Sequence, residues 1–196
     1  QAAYEKACRA LAARDPQEIC RRCGASLNGR RLILPFFGKR VEIALPQSPG
    51  ETEVRFDPPE LPPVEKILIL HYLTTLADYP AKEKMVSFKK LPGAAFYDPT
   101  YRKRGVERIA RRFGVDPQAF RQACRMLGWT EEQLGDVSYS FEVFPRIRGM
   151  VVLHLGDEEF PPEANLLFSD GIVNFLPLED VAVLAGLIAS RLCKAP

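Results

Sequence analysis

The spacing of apolar residues changes near Val137, and this change restricts the possible folds more than any other feature of the sequence. In residues 98–127, apolar side chains recur three and four positions apart, which predicts helices. From Val137 to Val143 they alternate with polar residues, and residues 150–155 form a further apolar run, which predicts antiparallel strands. Because helices and strands are segregated along the chain, we predict an α+β fold with a mostly antiparallel sheet built from hairpins.

Branched and aromatic residues predict two more hairpins and one further strand. The first hairpin turns at Phe37-Gly38, and the second turns at Ser169-Asp170-Gly171. The predicted strand segments are residues 31–37 with 39–45, residues 52–56, and residues 166–168 with 172–175.

About five helices are predicted to pack against this sheet. Asp-Pro pairs predict helix starts, because the aspartate can cap free amides while proline occupies the first helical position. The helix from Val64 to Ala77 is apolar nearly all round, so we expect it to be fully buried. The Asp-Pro pairs begin at Asp15, Asp98 and Asp116, and other helical segments are 4–11, 16–23 (ending at Gly24), 109–113, 120–127 and 177–193.

Length and composition predict a single domain over residues 1–196. The chain has 196 residues, of which 46% are hydrophobic and 27% charged, close to the average for globular proteins.

The longest apolar run, Val181 to Ala189, is too short to cross a bilayer, and the first residues show no secretory signal. An odd count of five cysteines argues against a disulfide framework. We therefore predict a cytoplasmic protein with no membrane partner.

Charge is distributed unevenly along the chain. In residues 82–125 Lys and Arg outnumber acids twelve to four, whereas in residues 131–180 eleven acids face two arginines. The two blocks either neutralise each other in the fold or leave the basic block to face an anionic ligand or partner. A protein- or nucleic-acid-interaction module is one alternative for the basic block, although no recognised nucleic-acid motif is present and nucleic acid is not the expected partner.

Basic and aromatic side chains are interleaved between Lys89 and Arg104, around the small residues Gly93-Ala94-Ala95. Aromatic rings can stack on a flat ligand, cations can meet its acidic groups, and small residues allow a close backbone approach. A packed loop under a solvated cationic face would also account for the pattern. For a flat anionic cofactor, the candidate residues are Phe96, Tyr97 and Tyr101 for stacking, Lys89, Lys90, Arg102 and Arg104 for acidic groups, and His71 or His154 for a metal.

Two further motifs have both a chemical and a structural interpretation. Cys20 and Cys23 share a helix face and could hold half a metal site or a redox pair. They lie at the end of their helix, where the helix dipole disfavours thiolate, so we interpret them as structural thiols.

In the turn 156–165, the carboxylates of Asp157, Glu158 and Glu159 could serve a metal-dependent enzyme. The simpler interpretation is that they satisfy turn amides. Common catalytic motifs are absent, so the prediction leans away from an enzyme.

Six segments together resemble a family defined as a domain of unknown function, with cytosolic members of roughly this length from anaerobic bacteria and archaea. The segments are LPFFG (34–38), KILILHYL (66–73), LPGAAFY (91–97), GDEEFPP (156–162), ANLLF (164–168) and LPLED (176–180). Some relatives are joined to a cysteine-rich iron–sulfur segment, so the resemblance implies redox or corrinoid-linked one-carbon metabolism, with a redox or corrinoid protein as a partner. No such segment occurs in these residues, and Cys20 and Cys23 do not replace it, so we expect no intrinsic iron–sulfur cluster.

The leading hypothesis from sequence is a non-catalytic binding protein for a flat anionic cofactor, a corrinoid or haem-like tetrapyrrole, in anaerobic metabolism. The metal-dependent enzyme and the interaction module are the alternatives.

Overall fold

The computed structural model describes residues 2–46, 51–75 and 84–195. It confirms the α+β fold, with two antiparallel sheets and flanking helices. Two compact units are distinguished, the first comprising Gln1–Ala81, Glu142–Ile147 and Asn174–Leu176, and the second Lys82–Phe141, Arg148–Val173 and Pro177–Pro196. Such a division does not test whether the units fold together, so the single domain stays a prediction. In the described ranges, no helix has the length and apolar character needed to cross a membrane.

The first unit has a four-stranded sheet in which the strands follow their chain order. One face of this sheet is core, because Leu32, Ile43 and Phe56 lie side by side in neighbouring strands and are all buried. The helices α1 and α2 both pack against α3. The elements are α1 (Ala2–Ala12), α2 (Pro16–Cys23), β1 (Ser26–Asn28), β2 (Arg31–Phe36), β3 (Lys39–Ala44), β4 (Arg55–Asp57) and α3 (Pro63–Thr74).

The first predicted hairpin is confirmed. Strands β2 and β3 pair from Arg31 with Ala44 to Phe36 with Lys39. The turn places Phe37 at φ 48° and Gly38 at φ 71°, a left-handed conformation that favours glycine at the second position. The strand predicted at 52–56 is found slightly later, at Arg55–Asp57.

Helix α3 is largely buried, as its sequence indicates, but it is not buried throughout. Val64 in its first turn is 38% exposed, and His71 is half-buried. The helix ends at Thr74, and the last residues of the predicted span, 76 and 77, lie outside the described part of the chain. Tyr72 anchors it: the ring stacks on Phe144 at a centroid distance of 4.1 Å, and the hydroxyl donates to the carbonyl of Cys23 at 2.6 Å.

The second unit is organised around a five-stranded sheet in the order β5-β9-β8-β7-β6. Strands β7 and β8 form the hairpin that the alternating pattern predicts, with a turn at Pro145-Arg146. Helices α4 and α5 both pack against α7. The elements are β5 (Met85–Ser87), α4 (Asp98–Arg104), α5 (Val106–Phe113), α6 (Pro117–Met126), β6 (Thr130–Glu132), β7 (Val137–Phe144), β8 (Ile147–His154), β9 (Glu163–Ser169) and α7 (Leu178–Lys194).

The second predicted hairpin is wrong. Residues 163–169 do form a strand, β9, but it pairs with β8 and β5, and Asp170–Asn174 form a 3₁₀ helix. A short apolar run such as 172–175 fits either a buried strand or a buried helical turn, and its sequence alone does not distinguish the two. In the structure Ile172 is buried within that helical turn.

Two of the three predicted aspartate caps are confirmed. The carboxylate of Asp15 accepts from the amide of Gln17 at 3.0 Å, and that of Asp116 accepts from Ala119 at 2.9 Å. At Asp98 the predicted helix start is confirmed, since α4 begins there, but the predicted cap is wrong, because Asp98 lies inside the helix and the residue before it provides no side-chain cap. The Oδ1 atom of Asp98 is buried and has no hydrogen-bond partner among the described residues.

Candidate functional site

The segment from Phe88 to Tyr97 is a chain of tight turns fixed to the core of the second unit. It comprises two 3₁₀ helices, Phe88–Lys90 and Ala94–Phe96, which pack against each other. The amide of Leu91 donates to Phe88 at 2.9 Å, and that of Tyr97 donates to Ala94 at 3.0 Å. Phe88, Leu91 and Ala94 are buried. The backbone of the segment is therefore held by hydrogen bonds and by three apolar anchors.

Gly93 allows this segment to turn. Its φ of 81° is a conformation that other residues adopt only with strain, and a Cβ at this position would lie 3.3 Å from a methyl of Leu178. The LPGAAFY sequence therefore has a structural reason for its glycine.

Phe96 is exposed, unlike the buried apolar anchors of this segment. Its side chain is 83% exposed, and its ring meets the ring of Tyr97 edge to face at a centroid distance of 5.1 Å. Exposed single apolar residues are common, but this one lies on a backbone that is fixed by its neighbours. The ring of Phe96 is thus available at the surface in a defined place, with the half-buried Tyr97 beside it.

Cations flank Phe96 on both sides along the chain. Lys89 and Lys90 are exposed on the preceding 3₁₀ helix, and Arg104 is exposed at the end of α4, which also packs against the Phe96 turn. Within residues 2–46, 51–75 and 84–195, these three form no ion pair closer than 4.0 Å. Arg102 is half-exposed and lies 3.5 Å from Glu107. The structure therefore places the predicted cations on elements that adjoin Phe96. We call Lys89, Lys90, Phe96, Tyr97 and Arg104 the Phe96 surface.

Tyr101 does not belong to this surface, which corrects the prediction that it stacks on a ligand. Its ring is 5% exposed and stacks on Phe88 at 4.2 Å with an interplanar angle of 8°. Its hydroxyl donates to the carbonyl of Leu166 at 2.9 Å. Both its ring and its polar atom are committed to the core of the second unit.

The two histidines are found in different units. His71 lies in α3 of the first unit. It is half-buried, although we expect α3 to be fully buried from its sequence. His154 ends β8 in the second unit, is exposed, and pairs across the sheet with Glu163. In the described ranges, no group of three or more His, Cys, Asp or Glu side chains is arranged to hold a metal ion.

Cys20 and Cys23 have the environment of structural thiols. Cys23 is fully buried, and its Sγ lies 3.4 Å from the carbonyl oxygen of Tyr72. Burial raises the pKa of Cys23 to about 12 and also raises the pKa of Cys20. Both thiols are therefore protonated near neutral pH, which disfavours metal binding and nucleophilic attack.

The acidic turn has a structural explanation in the geometry of Asp157. Its Oδ1 accepts from the amides of Glu159 at 2.9 Å and Phe160 at 2.7 Å, while its own amide donates to the carbonyl of Phe160. Asp157 thus satisfies turn amides, as the simpler interpretation of this motif predicts. A catalytic role for Asp157, Glu158 and Glu159 stays an untested alternative.

The basic and acidic blocks meet within the second unit. Glu131, from the acidic block, pairs with Arg121 and lies 3.5 Å from Arg125, both from the basic block. Part of the charge asymmetry is therefore neutralised locally, and the interaction module stays an alternative for the remaining cations.

A family model for a domain of unknown function, DUF3786, matches residues 15–191. The chain belongs to the DUF3786 family. No curated protein and no solved structure gives a significant match to it. The DUF3786 match extends over residues of both compact units, including the Phe96 surface and the acidic turn.

The first unit of the DUF3786 chain contains a cleft that its sequence patterns do not predict. It has a volume of ≈ 610 Å³ and is lined by residues of β2, β3 and β4 and of the segments beside β3 and β4. Arg31 is far in the sequence from the other charged lining residues and joins them only through strand pairing, so the sequence offers no signal for the cleft beyond the hairpin itself.

Proposed function

We propose that the chain is a non-catalytic binding protein for a flat anionic cofactor, and that the Phe96 surface is its contact site. The proposal is carried by the 83% exposure of Phe96 on a turn whose Phe88, Leu91 and Ala94 are buried. Fully burying a phenylalanine side chain contributes about 1.5–3 kcal/mol. A flat ligand that covers this ring would gain part of that free energy without reorganising the backbone.

The surrounding charges suit a ligand with acidic groups. Lys89, Lys90 and Arg104 can donate charge-assisted hydrogen bonds to carboxylates or phosphates. Arg102 can join them, because an exposed ion pair such as that with Glu107 contributes only about 0–1 kcal/mol and exchanges partners readily.

Within this class we propose a corrinoid or haem-like tetrapyrrole, in which a planar macrocycle carries polar groups at its edge. His154, which is exposed in the same unit as the Phe96 surface, is the candidate axial ligand, because imidazole coordinates such metals. An iron–sulfur cluster is not proposed, because Cys23 is buried against the Tyr72 carbonyl and both thiols of the pair have raised pKa values.

The family resemblance supports a cellular setting for this function. We propose that the protein acts in the cytoplasm in anaerobic metabolism, and that a redox or corrinoid protein is its partner. Relatives joined to iron–sulfur segments would then carry in one chain what this protein obtains from a partner.

The test is an absorbance titration of the purified protein with haem and, separately, with cobalamin. We expect a shifted visible band with one of them, and Phe96→Ala should weaken that binding about tenfold, because stacking on one aromatic ring contributes about 1–3 kcal/mol. The matched control is Phe160→Ala, which removes another exposed phenylalanine, 67% exposed on the acidic turn. No spectral change with either compound, or equal weakening by both variants, would exclude the proposed function.

A second measurement separates the cations from the ring. The double variant with Lys89→Gln and Lys90→Gln should weaken binding and reduce its dependence on salt. Arg148→Gln, which removes an exposed cation from β8, is the control and should leave both unchanged. If the lysine variant binds as tightly as the wild type, the acidic groups of the ligand are not recognised as proposed.

A further inference from the structure

The sheet of the first unit places two arginines on either side of an alanine. Arg31 in β2 pairs with Ala44 in β3, and Ala44 pairs with Arg55 in β4. Directly paired residues project from the same face of a sheet. Because neighbouring strands lie about 4.8 Å apart, the backbones of the two arginines are about 10 Å apart. A slot with the methyl group of Ala44 at its base therefore lies between the two arginine side chains.

This row belongs to the sheet face opposite the core. The next position along each strand, namely Leu32, Ile43 and Phe56, is buried, so Arg31, Ala44 and Arg55 project away from the core. One row further on the same face, Glu42 pairs with Asp57.

The cleft of ≈ 610 Å³ is lined by all three residues of the Arg31–Ala44–Arg55 row. That volume is typical of sites for small molecules. The lining includes apolar atoms as well as charges, so it offers both contact area and orienting groups. The other lining residues are Leu45, Pro46, Glu51, Glu53, Phe56, Asp57 and Pro59.

Both guanidinium groups are oriented by carboxylates yet keep donors for a ligand. Arg55 donates to Glu53 from two nitrogens, at 3.0 and 3.2 Å. Arg31 donates to Glu42 at 3.4 Å, whereas Arg40 makes closer bonds to the same carboxylate, at 2.7 and 3.0 Å. Since a guanidinium has five N–H donors, Arg31 and Arg55 can still bind a carboxylate between them.

The mixed charge of the cleft selects the class of ligand. Its two arginines are accompanied by three carboxylates, those of Glu51, Glu53 and Asp57. A polyanion would be repelled by the carboxylates and a polycation by the arginines. Asp57 lies two residues from Arg55 on the same face, about 7 Å along the strand. It forms no ion pair closer than 4.0 Å with any residue of the described ranges, so it can accept from a cationic group.

We propose that this cleft binds a small zwitterion, with its carboxylate between Arg31 and Arg55 over Ala44 and its ammonium group at Asp57. The small side chain of Ala44 leaves room for the carboxylate. The site uses only residues of the first unit, so it goes beyond the proposed cofactor function and stands or fails separately from it.

The experiment is a titration of the full chain followed by nuclear magnetic resonance, with 6-aminohexanoate as the probe. Hexanoate and hexylamine, which carry only one of its two charges, are the ligand controls. We expect the zwitterion to bind about tenfold more tightly than either, with shifts centred on the Arg31–Ala44–Arg55 row, because each charged hydrogen bond contributes to affinity. No binding of 6-aminohexanoate at millimolar concentration, or equal binding of hexanoate, would overturn the proposal.

Variants then test the geometry. R31Q and R55Q should each weaken binding about tenfold. A44L should weaken binding by filling the slot. D57N should remove the preference for 6-aminohexanoate over hexanoate. The matched control is R40Q, since Arg40 also bonds Glu42 on the same sheet but does not line the cleft. If A44L disturbs folding, R31Q and R55Q still test whether the two arginines bind the carboxylate. Equal losses in R31Q and R40Q would identify general surface charge and overturn the proposal, and Phe96→Ala should leave this binding unchanged.

Discussion

At the scale of single residues, Gly114 lies directly against Pro162 of the acidic turn. A Cβ at Gly114 would lie 2.2 Å from the Cβ of Pro162, which is closer than atoms can approach. The φ of Gly114 is −63°, so its backbone conformation accepts alanine, but the added Cβ would also lie 2.6 Å from the carbonyl oxygen of Ala110. We expect Gly114→Ala to lower the free energy of unfolding by about 1–3 kcal/mol in urea denaturation. In contrast, a Cβ at Gly186 in α7 would lie 3.4 Å from its nearest neighbour, the Cβ of Arg104. Gly186→Ala should therefore be neutral or stabilising by up to about 1 kcal/mol. Equal effects would rule out these close contacts as the cause.

Two buried tyrosines differ in how their hydroxyl groups are satisfied. The hydroxyl of Tyr72 donates to Cys23 at 2.6 Å and accepts from the amide of Arg146 at 3.2 Å. That of Tyr139 is buried without a hydrogen-bond partner among the described residues. Tyr72→Phe leaves the buried carbonyl of Cys23 and the part-buried amide of Arg146 without this partner, so we expect it to cost about 1–3 kcal/mol of unfolding free energy. Tyr139→Phe should be neutral or stabilising, and thermal unfolding of both variants compares them directly. A larger loss for Tyr139→Phe would contradict this account.

At the scale of elements, identical Asp-Pro pairs have different roles at α6 and α4. Asp116 accepts from the amide of Ala119 and caps α6, so Asp116→Ala should cost about 1 kcal/mol. Asp98 lies within α4 and its buried Oδ1 accepts no bond among the described residues, so Asp98→Ala should cost less. Urea denaturation of the two variants measures the difference. A loss at Asp98 equal to that at Asp116 would mean that Asp98 stabilises its helix in another way, for example through the helix dipole.

Local signals explain which elements could be predicted from the sequence. Helix α2 is fixed by its capping aspartate and by Gly24 at φ 70°, and the β2–β3 hairpin is fixed by its turn, so both were predicted closely. The 3₁₀ helix at Asp170–Asn174 was not, because its short apolar run suits either conformation. The sequence pattern predicts Tyr101 at the ligand site because it does not distinguish buried from exposed aromatic residues, and only packing separates the buried Tyr101 from the exposed Phe96.

The Arg31–Ala44–Arg55 row could not be predicted for a different reason. It depends on the register of three strands, and a shift of one residue would turn its side chains to the other face. Hairpin patterns predict that strands pair, but the third strand joins through residues outside the hairpin.

At the scale of the whole molecule, the buried thiol of Cys23 makes stability depend on alkaline pH. Burial raises the pKa of Cys23 from 9.0 to about 12 in the folded state. The folded state therefore binds the proton more tightly, so this contribution is fully present below about pH 9 and is lost as the pH rises toward 12. We expect the unfolding free energy of the wild type to fall more steeply above pH 9 than that of Cys23→Ala. Cys20→Ala, which removes a half-buried thiol, should change the slope less. Identical slopes for all three proteins would contradict the prediction.

The first unit is not a continuous stretch of sequence, because Glu142–Ile147 and Asn174–Leu176 belong to it as well. Phe144 stacks on Tyr72 at 4.1 Å and on Phe36 at 4.9 Å, and the carbonyl of Val143 accepts from the amide of Phe37 at 3.0 Å. A fragment of residues 2–75 contains α1 to α3 and β1 to β4, yet it lacks these contacts. Removing a core phenylalanine alone costs about 3–5 kcal/mol, comparable to the stability of a small domain. We therefore expect the fragment to show no cooperative thermal transition by circular dichroism, whereas full-length Phe144→Ala should still unfold cooperatively at a lower temperature. A cooperative transition of the isolated fragment would show that the distant segments are dispensable for folding the first unit.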